Sequence, residues 1–354
     1  MAFDKAVSEV HSFIANGQRF SVFYHMDVDG IVSAALLTKA LNVLGKTVKS
    51  YRPSNYEDFD NGFDISEFDS PIIICDMQLP PSSFQMLAGK PLCIIDHHEV
   101  IEPRDSVYIN PKAEGYNVYT PCSLLVYELF RKEIDAFDWL MAIGLISDAG
   151  GKENHELVVK ICEKYGPDPG KHEYLTDNTF GDAGSMINNF IISEGRYGAS
   201  ASLELLLNCN AISDVIENPM LKSINYKVES EIKALLERLE VESEKYSGKI
   251  YFFKMPTDKK RYSSTLATIA SLNQYKGKVI VVLTEINRNL ERVNIRANSL
   301  QIDVPKALDE IFRGIKGTGG GHKVAAGASI NPRDETKFKQ EFLKQMKDQL
   351  DITD

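Results

Sequence analysis

The chain has 354 residues, 43% hydrophobic and 25% charged, which is room for about two domains of ordinary globular composition, and no apolar run approaches the ~18 residues that span a bilayer. Its five cysteines are odd in number and lack CxxC spacing, so they support neither a disulfide framework nor a cysteine zinc site; Cys75 and Cys93, inside apolar runs, read as small buried thiols. The net charge of −10 hides an asymmetry, because residues 249–354 hold 19 Lys and Arg against 12 Asp and Glu, a balance of +7 that leaves −17 for residues 1–248.

In chain order, MAFDKAVSEVHSFI reads as an amphipathic helix without the basic start, apolar core and cleavage site of a signal peptide, and a cytoplasmic protein is the simple reading. Phe20 to Tyr24 reads as a strand, and Ile31 to Leu44 as a helix stopped by Gly45. Pro71 to Cys75 and Pro91 to Ile95 are short apolar runs, each followed at once by Asp, as expected of buried strands. Phe137 to Ser147 reads as a helix with Trp139 in the core. The charged stretch from Leu221 to Lys245 reads as one long solvated helix, a connector between domains. Beyond Gly248 come a strand at Ile250 to Phe253, a helix around Thr265 to Asn273, and strands at Val279 to Thr284 and Arg292 to Ala297. A helix near Val304 to Phe312 then leads into a glycine-rich loop, Gly317 to His322. The expected architecture is α/β: a first domain at 1–215 with a mainly parallel sheet covered by helices, a connector helix within 216–248, and a smaller α/β domain at 249–354.

Four segments deliver Asp or His at the end of an apolar element: His25-Met26-Asp27-Val28-Asp29-Gly30, Cys75-Asp76, Ile95-Asp96-His97-His98-Glu99 and Ile146-Ser147-Asp148. Strand alternation starts positions 25, 27 and 29 on one face, and Gly30 would let the chain turn into the helix. In open α/β sheets ligands sit beyond the carboxyl ends of strands, where the first three segments stop. Carboxylate and imidazole donors without thiolate suit Mn²⁺ or Mg²⁺ better than Zn²⁺. Five aspartates and three histidines at one rim would repel without cations, and a pair of metal ions is the usual answer in phosphoryl displacement. Each piece alone has a plainer reading: Asp76 as a helix N-cap, Asp27 and Asp29 as turn residues, His97-His98 as a surface or core pair. Their recurrence in sequential positions is what favours a site.

In this order HMDVDG, CDMQLPP, IDHHE and ISDAGG resemble the four motifs of the DHH phosphoesterase family, and GTGGGHKVAAG resembles the glycine-rich loop of its companion DHHA1 domain. The resemblance implies two Mn²⁺ ions, with Mg²⁺ as the substitute. His25 and Asp27 would hold one, Asp29, His97 and Asp148 the other, and Asp76 would bridge them. Asp96 would orient a histidine, and His98 would support the site or touch the scissile phosphate. A water between the metals would be the nucleophile. Arg296, Gly319, Gly320, Gly321 and His322 would contact substrate phosphate, the glycines by letting backbone N–H groups come close; Arg292 and Lys323 rank behind them. Within the family the chain resembles compact RecJ-like proteins. That implies a Mn²⁺-dependent exonuclease on single-stranded DNA or RNA, with a nanoRNase, oligoribonuclease or nucleotide phosphatase on short substrates as the alternative. A non-enzymatic alternative is a replication scaffold that binds the GINS complex. Asn188, Asn189 and Arg196 are further candidates for the substrate path, with a plain helix-and-turn role equally open.

Overall fold

The structure, a computed structural model, describes residues 2–55, 58, 71–79, 83–100, 106–116, 118–166, 168–298 and 300–350. The chain divides into two compact units, Met1–Tyr226 and Lys227–Asp354. Among the described residues no helix is long and apolar enough to cross a membrane.

The first unit is built on a five-stranded parallel sheet: β1 (Arg19–His25), β2 (Thr47–Ser54), β3 (Ile72–Cys75), β4 (Leu92–Ile95) and β5 (Val107–Ile109), in the order β2-β1-β3-β4-β5. β3 and β4 are buried at every position, which is why they read as unbroken apolar runs rather than alternating ones. The order reverses between β1 and β3, so the crossovers leave on opposite faces and a crevice opens where the carboxyl ends of these two strands diverge. The helix Val28–Val43 is apolar all round and buried from Val28 to Leu41. It packs against the helices Cys122–Leu129, Asp138–Ser147 and Arg196–Asn208. Its end is a Schellman turn, with Gly45 at φ +69°, Gly45 N–H on Asn42 and Lys46 N–H on Leu41. Trp139, 1% exposed, sits in the core as expected, and all five cysteines are buried thiols.

The second unit carries a six-stranded mixed sheet in the order β10-β11-β9-β8-β7-β6. Its strands are β6 (Glu244–Tyr246), β7 (Ile250–Lys254), β8 (Val279–Asn287), β9 (Leu290–Arg296), β10 (Gly317–His322) and β11 (Ala325–Ile330), with only β7 and β8 parallel. Phe252, Phe338, Phe342 and Met346 form part of its core with the inward faces of β8 and β9. The helix Val304–Phe312 starts on Asp303, whose carboxylate accepts the Lys306 amide at 3.0 Å, with a proline in its first turn.

Three expectations change. The first long helix begins at Val28 rather than Ile31, because Asp27 caps it by accepting the Gly30 amide at 2.9 Å. Asp29 is therefore a first-turn helical residue, and the strand alternation expected to bring 25, 27 and 29 to one face stops at His25. The glycine-rich segment is not a loop: Gly317–His322 is an edge strand, paired residue for residue with β11. The helix read as a connector runs Pro219–Glu242 across the division, and Glu244–Tyr246 already belongs to the second sheet. Pro80 and Pro81 of the second motif lie outside the described residues.

Candidate metal centre

The switch-point crevice collects the four acidic segments. β1 ends on His25, whose Nδ1 lies 2.7 Å from Asp27 Oδ2 and 3.8 Å from Asp76 Oδ2. β3 ends one residue before Asp76, which is 1% exposed and has φ +60°, a left-handed conformation costly to a non-glycine residue. β4 leads into Asp96-His97-His98. His97 Nε2 stands 3.1 Å from Asp76 Oδ1 and 3.5 Å from Asp148 Oδ2, and His98 Nδ1 2.7 Å from Asp96 Oδ1. Asp148 follows the C-terminal end of the helix Asp138–Ser147. Asp29 reaches the same place from the helix Val28–Val43 and accepts the amides of Cys122 (2.7 Å) and Ser123 (3.1 Å), the opening of the helix Cys122–Leu129.

These side chains form three overlapping sets whose donor atoms lie within 4.8 Å of one another: His25-Asp27-Asp76, Asp29-His97-Asp148 and Asp76-His97-His98. All six residues expected as metal ligands are thus brought together. His98 joins them, while Asp96 stands behind it as a hydrogen-bond partner. Two glycines make the convergence sterically possible. A Cβ on Gly30 would lie 2.5 Å from the His25 carbonyl oxygen, and one on Gly144 would lie 2.6 Å from Ser123 Oγ and 2.9 Å from Asp29 Oδ1. Gly30 is therefore a close-approach residue inside the helix, not the turn residue expected.

The electrostatics are those of a crowded carboxylate site that could hold cations. Burial raises Asp29 and Asp76 well above the ordinary carboxylate range, with Asp76 and Asp148 acting on Asp29, and Asp27 and Asp148 on Asp76, in the same direction. Asp148 is raised by burial too, with Asp27 adding to it against His97 and the Tyr119 hydrogen bond. Burial would depress the His25 imidazole, but Asp27 and Asp76 overcome it and push its pKa up to about 11. Asp27 is held down at about 2, its burial outweighed by His25 and the Gly30 amide. Asp76 Oδ1 and His97 Nδ1 are buried and make no well-aligned hydrogen bond among the described residues, although Asp76 Oδ1 lies 3.1 Å from His97 Nε2. Nitrogen and oxygen donors only, four crowded carboxylates and a buried carboxylate oxygen without a well-aligned hydrogen bond fit hard divalent cations such as Mn²⁺ or Mg²⁺.

Tyr119 was not among the expected residues. Its hydroxyl donates to Asp148 Oδ2 at 2.6 Å, and its ring meets His97 edge-on at 5.3 Å, so it fixes two candidate ligands at once. Nothing in the local pattern marks it, since it stands in an irregular stretch 29 residues before Asp148. Asn188 lines a 240 Å³ pocket with Asp27, Asp29 and Asp148. Asn189 instead bonds Asn225 at 2.7 Å, and Arg196 is held by both carboxylate oxygens of Asp58 at 2.7 and 2.8 Å, which leaves these two in structural roles.

In the second unit the register aligns His322 of β10, Ala325 of β11 and Arg296 of β9 in one row. Directly opposed residues share a face, so Arg296 and His322 face the same way across one small alanine, roughly two strand spacings (~10 Å) apart. The Arg296 guanidinium is pinned by Thr268 (3.1 Å), Ser264 (3.2 Å) and the Ile295 carbonyl (2.9 Å). Gly317 and Gly319 are explained by packing, since a Cβ on either would come within 3 Å of the Phe312 ring, and Gly321, at φ +133°, by its backbone. Gly320 meets nothing within 4 Å, so no packing constraint accounts for it.

Comparison with known proteins agrees with this geometry. The model of the DHH family, N-terminal domain, matches residues 19–145, and that of the DHHA1 domain matches residues 251–350. No curated protein matches the chain in sequence. Among solved structures, RecJ of Thermus thermophilus in complex with Mn²⁺ is similar at 19% identity and a TM-score of 0.70, covering 96% of this chain. The chain spans about half of that protein (53%). CDC45 of Entamoeba histolytica is similar at 9% identity and a TM-score of 0.62, covering 96% of this chain and 98% of that one. The pGpG-specific phosphodiesterase PggH of Vibrio cholerae is similar at 12% identity and a TM-score of 0.52, covering 94% and 99%. At these identities the likeness is one of fold.

Proposed function

We propose that this chain, which belongs to the DHH family and pairs a DHH N-terminal domain with a DHHA1 domain, is a Mn²⁺-dependent phosphodiester hydrolase: a RecJ-like exonuclease acting on single-stranded DNA or RNA. The observation that carries the proposal is the convergence of His25, Asp27, Asp29, Asp76, His97, His98 and Asp148 in overlapping donor sets at the switch point of the first sheet. His25 and Asp27 would hold one ion, Asp29, His97 and Asp148 the other, with Asp76 shared, and Mg²⁺ would be the substitute metal. Two such ions, when bound, neutralise phosphate charge and lower the pKa of water at the site.

The chain's own residues do the rest. Asp96 orients His98 through its 2.7 Å contact, and the opposite edge of that imidazole would support the site or touch the scissile phosphate. Arg296, held rigid by Ser264 and Thr268, takes a substrate phosphate together with His322 and those backbone N–H groups of Gly319, Gly320 and Gly321 that point to the open edge of the sheet, away from β11. No side-chain nucleophile is required. Five buried thiols suit a reducing compartment, the cytoplasm.

The nearest enzymatic alternative is a nanoRNase, oligoribonuclease or nucleotide phosphatase working on short substrates. The similarity in fold to CDC45 favours one further reading, a replication scaffold with GINS as partner, against which the complete donor set weighs. The deciding assay is Mn²⁺-dependent hydrolysis of 5′- and 3′-labelled single strands and of dinucleotides by the wild type and by Asp76→Ala. Loss of hydrolysis in the variant is expected. Equal activity in both would sink the metal-site assignment, and a wild type inactive on every substrate but bound to GINS would favour the scaffold.

A further inference from the structure

The two histidines that follow β4 stand on irregular backbone, and one asparagine from the neighbouring strand holds it. The ladder between β4 and β5 gives out where the Asp96 amide donates to the Ile109 carbonyl at 2.9 Å, and His97, His98 and Glu99 follow outside any strand. Asn110, the residue after β5, takes over there. Its Nδ2 donates to the His98 carbonyl at 3.1 Å and to the Tyr108 hydroxyl at 3.0 Å, and its Oδ1 accepts the Lys112 amide at 2.9 Å. The residue is 1% exposed. The stretch from Asp96 to His98 is thus tied at both ends to residues 109 and 110, with His97 between the ties. An exposed ion pair, Lys112 with Glu99 at 2.8 Å, joins the same two stretches, but exposed pairs contribute little.

Half of this arrangement has an ordinary explanation. Asn110-Pro111-Lys112 opens a turn in which Oδ1 accepts the amide two residues on and the Asn110 main-chain carbonyl accepts the Ala113 amide at 3.1 Å. Aspartate or serine would serve such a turn as well. The bond to His98 is not part of the turn. It crosses 12 residues, and a carbonyl can only accept, so it calls for a donor that the turn does not need. The same logic fixes the carboxamide: the Lys112 amide can only donate, so the oxygen faces Lys112 and the nitrogen faces His98. Asparagine carries both groups on one short side chain. From its other end His98 is held by Asp96, whose Oδ1 lies 2.7 Å from Nδ1, so main chain and ring are fixed independently.

We infer that Asn110 is a positioning residue for the reaction: it acts through His98, holding that residue's main chain so that the imidazole aligned by Asp96 stays at the scissile phosphate. The inference rests on the hydrolytic reading above and adds to it a residue that works without touching metal or substrate.

Asn110→Asp is the sharpest probe, because it keeps the size and the acceptor for Lys112 and removes only the N–H donors. In the full-length chain loaded with Mn²⁺ it should lower kcat on a labelled single strand about thirtyfold, with KM and Mn²⁺ stoichiometry unchanged. Asn110→Ala, which removes the donor without adding a charge, should act alike. Tyr108→Phe, which loses the other bond from Nδ2 and keeps the one to His98, should retain kcat within about twofold. A double-mutant cycle asks whether the effect runs through His98: in a His98→Ala background Asn110→Asp should cost less than about twofold more. A full loss that persists in that background, or a wild-type kcat in both Asn110 variants, overturns the inference. Histidine NMR of the metal-free chain reads the same geometry without turnover. The His98 Nδ1–H resonance should be present in the wild type and in Tyr108→Phe, and shifted or lost to exchange in Asn110→Asp; an unmoved resonance overturns the inference. Should the wild type hydrolyse no phosphodiester, the hydrolytic reading fails, and this resonance alone decides whether Asn110 holds His98.

Discussion

Replacing Tyr119 by Phe removes one oxygen and nothing else, and its effect can be worked from the structure. The hydroxyl donates to Asp148 Oδ2 at 2.6 Å, a short bond to a charged acceptor. Hydrogen bonds to charged groups contribute about 1.5–3 kcal/mol. The Asp148 side chain is 29% exposed, so water partly replaces the lost donor and the lower end of that range applies. At about 1.4 kcal/mol per factor of ten, the weakening of Mn²⁺ binding is about tenfold, within the 10–100-fold usual for groups that orient metal ligands. The ring that meets His97 edge-on is retained, so the metal-free fold should lose only the hydrogen bond's own contribution, about 2–6 °C in melting temperature. Isothermal titration with Mn²⁺ reads the affinity, and a Mn²⁺ titration of hydrolysis should show the same tenfold shift, with most of the rate recovered at saturation. An unchanged Mn²⁺ affinity would refute the placement of Asp148 at the metal. A rate that saturating Mn²⁺ does not recover would show that Tyr119 acts on substrate instead.

Other consequences follow from the same geometry. Asp76→Asn keeps a residue type that tolerates φ +60° while removing a carboxylate repelled by Asp27 and Asp148. It should lower hydrolysis by roughly 10³-fold or more without lowering the melting temperature of the metal-free chain. Burial and neighbouring carboxylates raise Asp29 and Asp76, and Asp27 and Asp76 push His25 up to about 11, so the metal-free site holds protons to higher pH than free side chains would, and a metal must displace them. Mn²⁺ affinity should therefore climb with pH, and titrations in buffers of different ionisation enthalpy should count net proton release. The linkage sign is the same for all three: folded pKa values above the unfolded ones stabilise the metal-free chain at low pH, and that stability is lost as pH rises through them. Metal-free melting temperature should fall above the ordinary carboxylate range, and Mn²⁺ should flatten the profile. Gly144→Ala drives a methyl against Ser123 and Asp29, so it should cost about 1–3 kcal/mol in denaturant melts and weaken Mn²⁺ binding as well.

The parallel core and the donor residues were legible because each motif follows a short apolar run, and a run of Ile72-Ile73-Ile74-Cys75 buried on both faces has little choice but to be a central strand. The helix start at Val28 was misplaced because Asp27 reads equally as a strand-end ligand and as a cap; in the structure its carboxylate caps the helix and approaches His25 together. The glycine segment was read as a loop because glycine disfavours strands. The missing information was that β11 supplies a ladder partner for all six residues and that Phe312 leaves no room for side chains at 317 and 319. Tyr119 and the Cys122 and Ser123 amides were invisible for another reason. Their contributions depend on contacts 29 to 94 positions away along the chain, and irregular stretches carry no periodicity from which to read them.

The most direct test is the stoichiometry and coupling of Mn²⁺ in the wild-type chain, measured by calorimetry together with electron paramagnetic resonance. Two ions per chain with a spin-coupled signal, reduced to one uncoupled ion or none in Asp76→Ala, is the predicted result. A single uncoupled Mn²⁺ in the wild type, unaffected by Asp76→Ala, would contradict the two-ion centre shared through Asp76.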